Sequence, residues 1–288
     1  MRILITGGFG QLGTSVYQRL IGGFDIIRTG RIKPAGVEGI EMDLRDGVKV
    51  KQIIQLFKPD LILHLGAMTN VDQCELNPYI AREVNIAGTE HLCEAFSGKI
   101  IYISTDYVFD GHAGPYSEDA NVCPINVYGE TKLASERLVL LHNNNNLILR
   151  GNVLYDYAIE SHASFLNWVI QSLKDSIEIQ VVNDQFNNPT WTYSLADIIS
   201  LCIDKDISGL YHWADADIVT RYDFALNIAK VFSLDRKLIK SISTKDLNQS
   251  AMRPLKSGLV ADRIAKALHI NQPTMHECLE QIKQKMIE

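Results

Sequence analysis

The sequence predicts an α/β protein built on a doubly wound parallel sheet, with a smaller C-terminal α/β lobe that binds substrate. Short apolar runs alternate with amphipathic helical stretches from residue 2 to residue 150, and beyond residue 150 the units become shorter and irregular. Such alternation is typical of parallel sheets with right-handed crossovers. We therefore assign residues 1–150 to the sheet domain, to which later segments can return, and residues 151–288 mainly to the lobe.

The first strand runs directly into a glycine-rich turn. A predicted strand at residues 2–6 is followed by Thr6-Gly7-Gly8-Phe9-Gly10-Gln11-Leu12-Gly13, after which apolar residues recur at helical spacing. Glycines let the backbone turn tightly and approach a pyrophosphate, whose charge then lies at a helix N-terminus. This context favours a dinucleotide-binding Rossmann domain over an ordinary βα turn. The candidate cofactor-binding residues in this turn are Gly7, Phe9, Gly10, Gln11, Leu12 and Gly13.

Cations follow the second predicted strand, residues 24–28. The strand ends in Arg28, with Arg31 and Lys33 close behind and no carboxylate at that point. A free ribose 2′-hydroxyl usually meets an acidic residue here, whereas a 2′-phosphate meets arginine. The sequence therefore favours NADPH, bound by Arg28 and Arg31, with NADH as the alternative cofactor. An ordinary solvated loop is the competing interpretation of these charges.

A third predicted strand, residues 40–44, ends in Asp43 and Leu44. Asp43 is placed either to touch the adenine amino group or to cap the helix that follows. Both residues are candidates for the cofactor site, and the sequence alone leaves the two roles of Asp43 open.

The fourth predicted strand, residues 59–67, is an unbroken apolar run typical of a strand buried on both faces. The small-residue turn at its end makes Ala67 and Thr69 candidates for contact with the cofactor. We interpret His64, inside the strand, as a packed core histidine rather than a base. Asn85 lies within the next helix, where asparagine is mildly unfavourable and invites a reason, although an exposed asparagine needs none. We include Asn85 among the candidate cofactor-site residues.

Tyr128 and Lys132 are four residues apart at the start of an amphipathic run. On a helix such residues share a face, with Cβ atoms about 5–6 Å apart. A cation about 6 Å away at an effective dielectric of about 20 favours phenolate by roughly 2.8 kcal/mol, or about 2 pKa units. The pair therefore predicts a Tyr128 pKa near 8, suited to protonating an alkoxide, although the same spacing also arises on solvated helices.

Hydroxyl and acidic residues end the fifth predicted strand, residues 99–103, in Ser104-Thr105-Asp106-Tyr107. Ligands of open parallel sheets lie beyond the carboxyl ends of the strands. Thr105 and its neighbours are therefore site candidates, and the long polar loop at residues 108–125 is typical of a functional loop.

Composition excludes several classes of protein. The chain has 28 basic and 34 acidic residues without a basic stripe, which argues against a nucleic-acid partner. Five scattered cysteines without a C-x-x-C pair argue for reduced thiols and against a disulfide framework or a zinc site. No apolar run approaches membrane length, and no signal peptide is evident. We expect a soluble cytoplasmic protein without membrane or metal, as a monomer or homodimer.

The motifs together resemble the extended short-chain dehydrogenase/reductase superfamily, and more closely the dTDP-4-dehydrorhamnose reductase family. The resemblance runs over nearly the whole chain, in Thr6–Gly13, Ser104–Gly111, Asn126–Lys132, Asp184–Phe186 with Pro189-Thr190, and Arg253-Pro254 with Ser257. The glycine turn and the Tyr-x-x-x-Lys pair are common to the superfamily, whereas Ser104–Gly111 and the Asp-Gln-Phe segment are much more specific to the reductase branch.

This resemblance implies a catalytic set of Thr105, Tyr128 and Lys132. Tyr128 would protonate the alkoxide that forms as hydride reaches a sugar C4 ketone, Lys132 would hold the nicotinamide ribose, and Thr105 would donate to the sugar oxygen. The substrate-binding residues it implies are Asp106, Tyr107, Asn152, Gln185 and Arg253. Of these, Arg253 is the cation for the diphosphate, where a forked guanidinium fits well.

One departure from the family leaves the nucleobase and the sugar open. Relatives in the rhamnose pathway tend to carry a tryptophan after the sixth strand, where this chain reads Arg150-Gly151-Asn152-Val153-Leu154-Tyr155. Three functions follow from the resemblance: an NADPH-dependent reductase of a nucleotide-activated 4-keto-6-deoxy sugar, an epimerase or dehydratase, and a non-catalytic regulatory subunit. The intact Thr105, Tyr128 and Lys132 set favours the first, and Asp106-Tyr107 disfavours dehydration.

Overall fold

The structure, a computed structural model, describes residues 1–157 and 164–286. The described strands are β1 (Arg2–Thr6), β2 (Asp25–Gly30), β3 (Ile40–Glu41), β4 (Leu61–His64), β5 (Lys99–Thr105), β6 (Leu147–Gly151), β7 (Leu154–Tyr155), β8 (Ile179–Val182), β9 (Phe186–Asn187), β10 (Thr190–Trp191), β11 (Gly209–His212), β12 (Val219–Thr220) and β13 (Ile239–Ile242). The described α-helices are α1 (Gln11–Leu20), α2 (Gly47–Phe57), α3 (Val71–Leu76), α4 (Pro78–Arg82), α5 (Gly88–Ala95), α6 (Val127–His142), α7 (Phe165–Lys174), α8 (Thr192–Asp204), α9 (Arg221–Val231), α10 (Asp262–Leu268) and α11 (Met275–Lys285).

A parallel sheet with the strand order β11-β6-β5-β4-β1-β2-β3 forms the centre of the described chain. From β1 the chain first builds outward to β3 and then crosses back to build β4, β5 and β6 on the other side. This reversal opens a crevice at the carboxyl ends of β1 and β4, the place where ligands bind in doubly wound sheets. The predicted fold class is confirmed.

The central strands β1, β4, β5 and β6 are buried on both faces. Along β1, Ile3 and Ile5 pack into the apolar cluster that includes Val16 of α1 and Ile199 of α8, whereas Leu4 packs into the cluster on the opposite face. This follows from the two-residue period of a strand. The sheet is therefore held between two layers of helices, and its carboxyl edge is left for the site.

Residues beyond 150 contribute both to the central sheet and to a smaller lobe. β11 pairs with β6 in the central sheet, so the sheet takes a strand from beyond residue 150. The rest forms a smaller lobe in which β8 pairs with β13 and helices α7, α9 and α11 surround a separate apolar cluster that includes Phe224, Ile228 and Leu279. The division of the chain at residue 150 stays a prediction.

Two predicted strands are shorter than the apolar runs that suggested them. β3 stops at Glu41 rather than Leu44, because the next residues turn towards α2. β4 spans Leu61–His64 rather than residues 59–67, because the chain leaves the sheet for the turn that borders the crevice. No helix in the two described ranges combines the length and apolar character needed to cross a membrane.

Candidate active site

The glycine turn forms a tight cradle at the start of α1. Gly7 has a φ of +65°, and a Cβ there would stand 2.8 Å from the Cα of Gly66. A Cβ on Gly13 would collide with the carbonyl of Gly7, so the helix can approach the turn only without one. Gly10 precedes Gln11 at the helix start and offers no side-chain cap, which leaves first-turn N–H groups for an anion. This geometry fits a dinucleotide pyrophosphate.

Arg28 lies beside this turn. Its guanidinium is 5.1 Å from the ring centroid of Phe9 and 4.5 Å from that of Tyr17, and its Nε donates to the carbonyl of Gly8 at 2.9 Å. Burial lowers the pKa of Arg28 from its usual value. Arg31 is exposed just beyond the end of β2, so the two predicted cations lie at the same edge of the crevice.

Asp43 is held by Arg45 rather than by a helix end. The Nη2 of Arg45 is 2.6 Å from Oδ2 of Asp43, and this hydrogen bond keeps the pKa of the carboxyl below its usual value. The helix that follows is capped instead by Asp46, which accepts from the N–H of Lys49. The capping role considered for Asp43 is therefore wrong. Its adenine contact, and the cofactor role of the buried Leu44, stay predictions.

Asn85 connects the turn after β4 to the helix of the Tyr-x-x-x-Lys pair. Its Oδ1 accepts from the N–H of Met68 at 2.7 Å, and its Nδ2 donates to Oγ1 of Thr131 at 2.9 Å. Asn85 lies in the π-helical turn Glu83–Ala87, and π-bulges frequently occur at functional sites. Ala67 is half-buried and Thr69 exposed along the same turn.

Helix α6 is positioned by its first residues. Asn126 caps it by accepting from the N–H of Gly129 at 2.9 Å. A Cβ on Gly129 would collide with the carbonyl of Tyr107, so the helix start lies directly against the turn that follows β5. The Tyr128 ring meets the Tyr107 ring edge-on, with centroids 5.6 Å apart. Thr105 ends β5 at this point, so the predicted set converges at the carboxyl edge of the sheet.

Lys132 is buried behind Tyr128. Its Nζ donates to the carbonyl of Ile103 at 2.6 Å and lies 4.0 Å from the ring centroid of Tyr102. Burial lowers the pKa of Lys132 to about 7.

The predicted fall in the Tyr128 pKa is wrong for this structure. Loss of hydration raises the pKa of the phenol well above its usual value, and the nearby Thr105 hydroxyl opposes that shift only in part. The prediction from spacing assumes that the ammonium of Lys132 lies about 6 Å from the phenol at an effective dielectric of about 20. In the structure the ammonium is engaged by the Ile103 carbonyl instead, and burial dominates.

Polar groups are buried beyond Thr105. Asp106 accepts from the Thr105 hydroxyl at 3.0 Å, and burial raises the pKa of its carboxyl to about 6. Oγ of Ser104 and Oδ1 of Asn152 are buried without a hydrogen-bond partner in the described parts of the chain. Because unpaired buried polar atoms are costly, these atoms are suited to a polar ligand.

The remaining predicted substrate residues come from the C-terminal half. Arg253 forms an ion pair with Asp72, with Nη2 2.7 Å from Oδ2. Gln185 is buried, and its amide donates to Oγ1 of Thr244 at 3.0 Å. The substrate contacts of both residues stay predictions.

Arg221 also reaches this region, and the sequence reasoning missed it. It is the first residue of α9, and its guanidinium lies 5.3 Å from the ring centroid of Phe165. Burial raises the pKa of Asp106 and of Tyr107, and the charge of Arg221 opposes both shifts. The sequence did contain a signal, because a cation is unfavourable at a helix N-terminus and so asks for a reason.

His64 is the packed core histidine that we expected. It is 1% exposed, its Nδ1 is 2.8 Å from Oγ1 of Thr6, and its Nε2 is 3.0 Å from Oγ1 of Thr89. It thereby joins β1 and β4 to α5 beneath the crevice. Burial, with a smaller contribution from Lys132, lowers its pKa to about 3 from the usual 6.5.

This shift predicts a pH-dependent effect of His64→Gln on stability. Between pH 6.5 and pH 3 the unfolded chain binds one more proton at this residue than the folded chain does. The contribution of neutral His64 to the free energy of unfolding is therefore complete above pH 6.5. Below pH 6.5 this contribution decreases by about 1.4 kcal/mol for each unit by which the pH falls. Urea unfolding between pH 7 and 4.5 should show the difference between wild type and variant changing with that slope. The control His112→Gln, at an exposed position, should show no such slope, and a pH-independent difference for His64→Gln would contradict the assignment.

The sheet, the glycine turn and the Tyr-x-x-x-Lys motif define an extended short-chain dehydrogenase/reductase, a class of NAD(P)H-dependent oxidoreductases. The family model of the RmlD substrate binding domain matches residues 1–287, and the chain belongs to that family.

Relatives support this placement. A dTDP-4-dehydrorhamnose reductase of Aggregatibacter actinomycetemcomitans is 32% identical over 98% of each chain. Methionine adenosyltransferase 2 subunit beta of Xenopus tropicalis is 32% identical over 92% of this chain and 82% of its own. Among solved structures, a dTDP-4-dehydrorhamnose reductase of Clostridium acetobutylicum has a TM-score of 0.90 at 30% identity over 100% of both chains. One from Bacillus anthracis, in complex with NADP, has a TM-score of 0.90 at 29% identity over 99% of both chains.

Proposed function

We propose that this protein uses NADPH to reduce the C4 ketone of a nucleotide-activated 4-keto-6-deoxy sugar, supplying a precursor for surface polysaccharide. The observation that carries the proposal is the convergence of Thr105, Tyr128 and Lys132 at the carboxyl edge of the sheet, beside the glycine turn. The reductase relatives favour this substrate class, and the relative in complex with NADP favours this cofactor.

The cofactor would supply a hydride to the ketone carbon. The turn from Gly7 to Gly13 would hold its pyrophosphate, because the cradle has no room for side chains and the start of α1 has free N–H groups. Arg28 and Arg31 would hold a 2′-phosphate, and Lys132 the nicotinamide ribose.

Side chains of this protein would bind and protonate the oxygen of the ketone. Thr105, whose hydroxyl donates to Asp106 in this structure, would turn to donate a hydrogen bond to that oxygen as negative charge develops on it. Tyr128 would supply the proton, and its raised pKa keeps the phenol protonated at neutral pH. Lys132, whose ammonium is bonded to the Ile103 carbonyl in this structure, would stabilise the phenolate that remains only after leaving that carbonyl.

The test is a panel of dTDP-, GDP- and UDP-linked 4-keto-6-deoxy sugars with NADPH, followed by absorbance at 340 nm. Reduction consumes NADPH with one nucleobase preferred. An epimerase or dehydratase returns the hydride to the sugar and would produce no net loss of absorbance. Turnover of the panel without NADPH consumption would therefore contradict the proposal.

A second candidate is a regulatory subunit, which the similarity to methionine adenosyltransferase 2 subunit beta favours. Such a protein would bind NADP and a methionine adenosyltransferase catalytic subunit but reduce no member of the panel. Analytical ultracentrifugation with that catalytic subunit separates the two candidates, since the reductase is expected to sediment independently of it.

Arg28→Ala is expected to weaken NADPH binding about 10-fold or more and NADH binding less than about threefold, because a charged hydrogen bond to the 2′-phosphate exists only in NADPH. Fluorescence titration with both cofactors measures this. Arg19→Ala is the matched control, since Arg19 is exposed on α1 and pairs with Asp197. Equal losses for the two cofactors in Arg28→Ala would favour the solvated-loop interpretation.

A further inference from the structure

Arg221 is a cation at the substrate end of the crevice without a carboxylate partner in the described chain. Its backbone N–H donates to the carbonyl of Gln185 at 3.3 Å, and its guanidinium rests against the Phe165 ring. Across residues 1–157 and 164–286, the Arg221 side chain forms neither an ion pair nor a hydrogen bond. Cations placed in a partly buried site without a partner are poised to bind an anion.

Arg221 and Arg253 lie near the same region of the site, although they belong to different segments of the chain. Thr220, next to Arg221, pairs with Phe186 between β12 and β9, and the N–H of Phe186 donates to the carbonyl of Leu255, two residues after Arg253, at 2.6 Å. The charges of both arginines also act on Tyr107, whose ring is in contact with that of Tyr128. One arginine starts α9 and the other lies in the segment after β13, so the fold brings two cations to the region just beyond the proposed proton donor.

The two arginines differ in what holds them. Arg253 is tied to Asp72 at 2.7 Å and to the carbonyl of Ala251 at 2.9 Å, which fixes its position but neutralises part of its charge. Arg221 is oriented by the aromatic face of Phe165, which leaves its N–H groups available. A guanidinium held near an aromatic ring keeps its planar fork of N–H groups for bidentate binding of phosphate.

We propose that Arg221 binds the diphosphate of the nucleotide-sugar substrate together with Arg253. The inference rests on the proposed function, which supplies a substrate with two linked phosphates. Arg221 would carry the larger share of the charge neutralisation, since Arg253 is already paired with Asp72.

Equilibrium binding tests the proposal without turnover. Calorimetric titration of the NADP-loaded protein with dTDP, UDP and GDP first selects the nucleobase that binds tightest. The nucleoside, monophosphate and diphosphate of that base are then titrated into Arg221→Gln. The variant is expected to bind the diphosphate about 10- to 100-fold more weakly, as for loss of a charged hydrogen-bonded pair, and the nucleoside unchanged.

Two further variants test whether the effect depends on the guanidinium fork and on the position of Arg221. Arg221→Lys keeps the charge but loses the fork, and it should recover part of the diphosphate affinity. Arg236→Gln removes an exposed arginine from the same lobe, and it should bind all three ligands as the wild type does. Melting temperatures of all variants should agree within about 2 °C, because an exchange away from the core costs little stability.

Diphosphate binding by Arg221→Gln within twofold of wild type would overturn the proposal. An equal loss for nucleoside and diphosphate would also overturn it, since Arg221 would then only shape the lobe. If Arg221 acted only through Asp106, the variant would shift the pH profile of turnover but leave diphosphate binding intact, again against the proposal. A selective loss of diphosphate affinity in a protein that reduces no sugar would uphold Arg221 and refute the reductase function.

Discussion

Tyr128→Phe is expected to lower kcat by about 10³-fold or more while NADPH affinity changes less than about threefold. The ring and its contact with Tyr107 remain, but the proton for the alkoxide is lost. Because the wild-type phenol stays protonated at neutral pH, the loss should be the same throughout pH 6 to 8. Stopped-flow absorbance at 340 nm, with cofactor affinity from fluorescence titration, measures both quantities.

A matched control variant tests whether the loss of turnover is specific to Tyr128. Tyr79→Phe removes the same hydroxyl from a tyrosine that is 82% exposed on α4, and it should turn over like the wild type. Unchanged turnover in Tyr128→Phe would remove Tyr128 as the proton donor. A comparable loss in both variants would trace the effect to something other than the site.

Arg150→Met is expected to lower the free energy of unfolding by about 3–5 kcal/mol, the largest effect on stability that we expect. Arg150 on β6 and Glu136 on α6 form a buried ion pair, 2.7 Å between Nη2 and Oε2, with side chains 4% and 2% exposed. Removing the guanidinium leaves the Glu136 carboxylate buried without its partner. Urea unfolding at pH 7 measures the change.

The double variant Arg150→Met, Glu136→Met distinguishes the pair from simple loss of packing. It removes both charges and should recover a large part of the lost stability, since apolar replacements of buried pairs are often neutral. Arg19→Met, which breaks an exposed ion pair with Asp197, should cost less than about 1 kcal/mol. A loss below 1 kcal/mol for Arg150→Met, or no recovery in the double variant, would contradict this account.

Features encoded locally were predictable from the sequence. The glycine turn, the buried strand β4 and helix α6 each depend on residues close together in the chain, and their apolar spacing or glycine pattern reflects that. The asparagine at position 85 was also a usable signal. The hydrogen bonds of Asn85 with Met68 and Thr131 explain why an unfavourable residue lies inside this helix.

Features that depend on distant contacts were not predictable. The spacing of Tyr128 and Lys132 predicted that both lie one turn apart on a helix, as they do in α6. It could not predict the Tyr128 pKa, which depends on burial and on the Ile103 carbonyl that binds the lysine. β11 lies beyond residue 150, where the sequence predicts short, irregular units, and its residues could not show that it pairs with β6. A cation at the start of a helix was the one signal for Arg221, and only the folded chain shows that its charge reaches Asp106 and Tyr107.

The most direct test of the central claim is where the hydride goes. Reduction of a 4-keto-6-deoxy nucleotide sugar with NADPH deuterated at C4 of the nicotinamide should give a product with deuterium at C4 of the sugar, seen by NMR. The label should come from one of the two stereospecifically deuterated cofactors and not from the other. Product without deuterium at C4 from either cofactor would contradict the account.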